Sequence, residues 1–142
     1  MTTEKRRWIL AIDPGRAKVG YAQVYDDFSH GEMGVAELTG LSSVLKKFCK
    51  NTEDPPFAIV VGSGTASNII CKLFKNMDTG ISIKFQNEKN TTLMARERYF
   101  EENPPKGLFK LIPRGLLSPG EAIDGYAAWI IGEKYMKELS KA

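Results

Sequence analysis

Two short apolar runs separated by a helical repeat constrain this chain more than any other feature. Phe57 to Val61 follows the Pro55-Pro56 break as an unbroken apolar stretch, and Ile81 to Phe85 forms a second one. Between them Ile69, Ile70, Leu73, Phe74 and Met77 recur at helical spacing, after a Gly62-Ser63-Gly64-Thr65 turn and before Gly80. Strands joined through a helix run parallel to one another, and a continuously apolar strand expects cover on both faces. The second half of the chain therefore reads as part of an α/β sheet.

The first third reads differently. Trp8 to Ile12 is a short apolar run ending in Asp-Pro-Gly, and Val19 to Tyr25 alternates, with Gly20, Ala22 and Val24 on one face. The turn from Asp13 to Lys18 joins them, and a third strand is expected from Glu32 to Leu38. Short connections imply an antiparallel meander. Leu41, Val44, Leu45 and Phe48 then follow helical spacing, with Lys46, Lys47 and Lys50 outside the stripe. A later helix carries Leu93, Ala95, Arg96, Tyr99 and Phe100 and stops at Pro104-Pro105; Asn103 to Gly107 is read as a loop. Ser118-Pro119-Gly120-Glu121 supplies an N-cap, a first-turn proline and a capping-box acid, so the last helix should run from Pro119 to about Leu139. The expected architecture is one domain over residues 1–142: a mixed five-stranded sheet, three antiparallel strands then two parallel ones, flanked by helices.

Composition narrows the class. A hydrophobic fraction of 42% is enough for a packed core. The formal net charge of +3 permits nucleic acid as a partner without arguing for it. Cys49 and Cys71 lack metal-site or disulfide spacing and are expected to be buried, reduced thiols in helices. No apolar stretch approaches the roughly 20 residues of a membrane helix, and the charged N-terminus does not read as a signal peptide, so a cytoplasmic protein is expected.

Three acids carry the chemical interest. Asp13 closes the first strand, Glu88 follows the last strand and Asp124 lies early on the final helix. Strand ends of a parallel region share the sheet edge at which open α/β sheets place ligands. Three uncompensated carboxylates gathered there would repel one another unless a cation intervened. Hard oxygen ligands suit Mg²⁺ or Mn²⁺, and a pair of ions about 3.5–4 Å apart can activate a water and stabilise the leaving oxygen of a phosphodiester. Taken singly, Asp13 is also an ordinary turn residue and Glu88 a solvated loop acid. Asp124 sits beside the apolar Ile123, Ala127, Ile130 and Ile131, where a carboxylate needs a partner or a cleft.

At these residues the sequence resembles the YqgF family, also called RuvX, of RNase H-like nucleases and Holliday-junction resolvases. The resemblance spans nearly the whole chain. It rests on Ile12-Asp13-Pro14-Gly15 with Val19-Gly20-Tyr21-Ala22, on Val60-Val61-Gly62, on Glu88-Lys89-Asn90-Thr91-Thr92 with Ala95, and on Ile123-Asp124 with Ala127-Ala128. Asn87 stands where many members carry Asp. The resemblance implies an RNase H-like fold, a metal-binding triad of Asp13, Glu88 and Asp124, and nuclease activity on structured nucleic acid. It further implies processing of the precursor of 16S ribosomal RNA, with junction resolution as the alternative and a catalytically weak binding scaffold as a third reading.

Several residues keep two readings. Glu121 lies three positions before Asp124, on the same helix face, and is either a fourth metal ligand or the capping-box acid of Ser118. Arg16, Lys18, Lys89 and Arg114 are loop cations that would contact phosphates or stay solvated. Ser63 and Thr65 would hold a phosphate oxygen, or Thr65 would cap the helix that follows. His30 is placed in a turn and given no role. A monomer or a homodimer fits equally well. An Asp-x-Gly hairpin also opens actin-like kinases, but those need a second domain for which this chain is too short.

Overall fold

The computed structural model describes residues 7–15, 18–50, 52–64, 67–77, 79–87, 91–104 and 123–141. Strand β1 spans Trp8–Asp13, β2 Lys18–Tyr25 and β3 His30–Glu37. A single 3₁₀ turn, Leu38–Gly40, leads into α1, Leu41–Leu45, which continues as one wide helical turn over Lys46–Lys50. Then follow β4 (Ile59–Gly62), α2 (Ser67–Met77), β5 (Ile83–Gln86), α3 (Thr91–Glu102) and α4 (Ile123–Ser140). Among the described residues the strands form one sheet in the order β3-β2-β1-β4-β5. β1 pairs antiparallel with β2, as does β2 with β3, while β1–β4 and β4–β5 are parallel. The expected mixed sheet is thus observed.

Being central, β1 is covered on both faces, and alternation divides its side chains between two cores. Trp8, Leu10 and Ile12 join Leu41, Leu45, Phe48, Ile59, Val61, Ile70 and Phe74 on the side of α1 and α2. Ile9 and Ala11 join Ala22, Val24, Val60, Ala128 and Ile131 under α4. The second face is lined by small residues, so α4 approaches closely. A Cβ on Gly132 would lie 2.6 Å from Val24 Cγ2 and 3.0 Å from Ala11 Cβ. Burial of each large aliphatic side chain here contributes about 1.5–3 kcal/mol.

Helix α3 covers α4 from outside and runs antiparallel to it, since Arg98 pairs with Glu133 whereas Glu102 pairs with Tyr126. Ala95 packs with Tyr126, Ala127 and Ile130. The buried Glu133 carboxylate accepts from Arg98 Nη2 at 2.7 Å, also from Nη1, and from Lys137 Nζ at 2.9 Å. Arg98 in turn lies 4.5 Å from the Trp129 ring centre.

Three side-chain expectations are corrected. Cys71 is half-buried rather than buried, whereas Cys49 is buried as expected. Ile69 and Leu93 belong to apolar stripes in sequence but are 55% and 62% exposed, because each helix turns only one arc toward the sheet or α4. His30 does not lie in a turn: it opens β3 and contacts α3 and α4. Of the described helices, none is long and apolar enough to cross a membrane.

Candidate metal centre

The register of β1 on β2 sets the centre of the site. Asp13 pairs directly with Gly20, so the two residues project from the same face, the one that Ile9, Ala11, Ala22 and Val24 present to α4. Gly20 has no side chain, and α4 occupies the space. A Cβ built there would lie 2.0 Å from the Asp124 carbonyl oxygen and 3.0 Å from Asp124 Cβ. Directly opposed strand residues have Cβ positions about 4.5–5.5 Å apart, which brings the Asp13 and Asp124 Cβ atoms to within about 8.5 Å of each other. Asp13 and Asp124 therefore stand beside one glycine of β2, opposite the C-terminal end of β1.

Gly15 lies close to the start of β2: a Cβ there would stand 2.2 Å from the Lys18 carbonyl oxygen. The start of α4 is pinned a second time, since a Cβ on Gly125 would meet Gly34 N at 3.3 Å and Gly34 O at 3.4 Å. A helix seated on two glycines of neighbouring strands has little freedom to lift Asp124 away.

The electrostatics fit a cation. Burial pushes the Asp124 carboxyl up from its ordinary value, and the Lys18 ammonium acts against that rise. Lys18, expected in a loop, opens β2 instead, within electrostatic reach of Asp124. Two carboxylates borne on one face, one of them partly desolvated, are hard oxygen donors of the kind that suits Mg²⁺ or Mn²⁺. Among the described residues there is no group of three or more His, Cys, Asp or Glu placed to hold a metal.

The other expected residues divide. Arg16, Thr65, Glu88, Lys89, Arg114, the cap Ser118 and Glu121 lie outside the described residues. Ser63 is exposed beyond the end of β4, and its N–H donates to Gln86 O at 3.1 Å. Gln86, two positions before Glu88, pairs with Gly62, and that register puts it level with Asp13 two strands away, roughly 10 Å. Its buried side chain donates from Nε2 to Glu138 Oε1 at 3.2 Å, toward the far end of α4. Gly20 was not foreseen as part of the site. The available signal was a glycine inside a strand, which often marks a close backbone approach.

The sequence matches no protein-family profile and no curated protein. Its fold is similar to that of Thermus thermophilus RuvC in complex with a Holliday junction substrate, with a TM-score of 0.53 over 94% of this chain and 96% of that one, at 12% identity. A second Thermus thermophilus RuvC structure aligns with a TM-score of 0.47, 12% identity and coverage of 92% and 94%. The first likeness, with the observed sheet order, identifies the fold as RNase H-like.

Proposed function

We propose that this chain is a divalent-metal-dependent nuclease acting on structured nucleic acid, with Asp13, Glu88 and Asp124 as its metal-holding acids. What supports the reading is that Asp13 pairs with Gly20 and the backbone of Asp124 packs on that same glycine. Glu88 joins them on sequence position, since Gln86 ends level with Asp13. Glu121 is either a further ligand or a cap.

A divalent cation bound by these acids would supply Lewis-acid polarisation of the phosphodiester and an activated water. The chain's own residues do the rest. Strand pairing fixes the backbone of Asp13 and the glycine seat that of Asp124, so the two acids start from set positions before substrate arrives. Lys18, next to Asp124, pairs with a phosphate oxygen beside the scissile bond. Arg16, Ser63, Thr65, Lys89 and Arg114 extend that contact along the backbone.

The substrate is proposed in two forms. Likeness to the fold of a protein solved with a Holliday junction supports branched DNA. The sequence resemblance to the YqgF family supports structured RNA, specifically the 16S ribosomal RNA precursor. The setting is the cytoplasm, with the protein a monomer or homodimer. A cleavage assay with four-way DNA junctions and precursor RNA side by side, with Mg²⁺ or Mn²⁺, tests the reading. Cleavage of either substrate that falls at least about 100-fold in Asp13→Asn and Asp124→Asn is expected. Binding without cleavage would favour the scaffold reading instead.

A further inference from the structure

Outside the acidic centre, the best-defined polar cluster joins β3, α3 and α4. The His30 ring places Nδ1 2.8 Å from the Gly31 carbonyl oxygen and Nε2 3.1 Å from Glu102 Oε1. Glu102 Oε2 accepts the Tyr126 hydroxyl proton at 2.5 Å, and the Tyr126 oxygen accepts from Asn103 Nδ2 at 3.2 Å. An amide nitrogen only donates, so the one phenolic proton is directed at Glu102, which leaves the carboxyl as acceptor on both oxygens. A carbonyl oxygen accepts too. His30 therefore faces two acceptors, and a neutral imidazole, with a single N–H, satisfies only one of them.

We propose that His30 is a proton-operated latch: doubly protonated, it ties β3 to the C-terminal end of α3, and through Tyr126 and Trp129 to α4; singly protonated, it loses the charge-assisted tie and loosens that end of α3.

The surroundings make the latch consequential. The His30 ring packs edge-on against Trp129 at 4.5 Å between centres and against Tyr126 at 6.5 Å. Trp129 Nε1 donates to Phe28 O at 2.9 Å, which holds the tip of the β2–β3 hairpin to α4. Among the described residues, the charged or titratable groups that touch the ring or its partners are Glu102, Arg98 and Tyr99 from α3 and Tyr126 and Glu133 from α4. Burial draws the Glu102 carboxyl upward, but hydrogen bonds from Tyr126 and His30 outweigh it and hold the group below its ordinary value of 4.5. Its contribution is present above that value and fades as pH falls through the depressed one. The imidazolium contribution has the opposite sign: it is present while the ring holds both protons and is lost with the second one. The latch is tightest between the two. Nothing in this depends on the nuclease reading.

His30 is the single histidine in the chain, so its ring signals are unambiguous by NMR. The test follows them with pH alongside hydrogen-exchange protection of the amides from Tyr99 to Asn103. Protection is expected to fall roughly tenfold between pH 5.5 and 8.5, the scale of one charged hydrogen bond, in a step that coincides with the ring's titration. Both ring nitrogens should carry protons on the acid side. His30→Gln and Glu102→Gln should each abolish the step. A flat profile in the native protein, a step persisting in either variant, or a ring with one bare nitrogen at pH 5.5 would overturn the latch.

Discussion

Gly20 holds the site by what it lacks. Alanine there would drive a methyl group into the Asp124 carbonyl, 2.0 Å away, and lift the start of α4 off the sheet. Gly20→Ala is expected to cost at least 100-fold in cleavage, the scale of a misplacement of about 1 Å, while circular dichroism still reports a folded protein. Asp124 makes the opposite bargain between function and stability. Burial raises its carboxyl, so the ionised form burdens the native state above the raised value, and the burden vanishes as pH falls below the ordinary 3.8. Asp124→Asn is therefore expected to raise the urea midpoint at pH 7 and to leave it unchanged near pH 3. Mn²⁺ should raise the thermal midpoint of the native protein and not that of the variant.

At the scale of elements, α3 depends on a buried ion pair. Burial pulls the Glu133 carboxyl up, but Arg98 and then Lys137 outweigh it, so the group stays ionised below its usual range. Removing the guanidinium leaves a carboxylate that is 6% exposed with the half-exposed Lys137 ammonium in place of a two-pronged partner. Arg98→Met is expected to lose about 3–5 kcal/mol in urea unfolding at pH 7, and the double change Arg98→Met with Glu133→Leu to recover most of it. The elements themselves were legible in sequence because each follows a local rule. Alternation marked β2, helical spacing marked α2, and the apolar run at Phe57 to Val61 gave the covered strand β4. What local rules cannot reach is contact between distant segments. Nothing near Gly20 in sequence says that α4 will rest on it, and nothing near His30 says that Glu102 will face it. For the same reason periodicity overstated the burial of Ile69 and Leu93, whose neighbours are set by how each helix is laid on its partner.

For the whole molecule, topology lets the sequence suggest one sheet edge for the three acids; the strand register sets Asp13 opposite Gly20, and the backbone of Asp124 packs on that glycine. A formal charge of +3 gives only a weak long-range field, so the proposed affinity for nucleic acid would have to come from local contacts such as Lys18. Lys18→Met is expected to lower the slope of log affinity against log salt by about one, in binding titrations at several ionic strengths. The central claim is that two carboxylates from opposite ends of the chain share a divalent cation. Calorimetric titration of Mn²⁺ into the native protein, Asp13→Asn and Asp124→Asn tests it most directly. Binding by the native protein and its loss in each folded variant is the expected result; undiminished binding in either variant would contradict it.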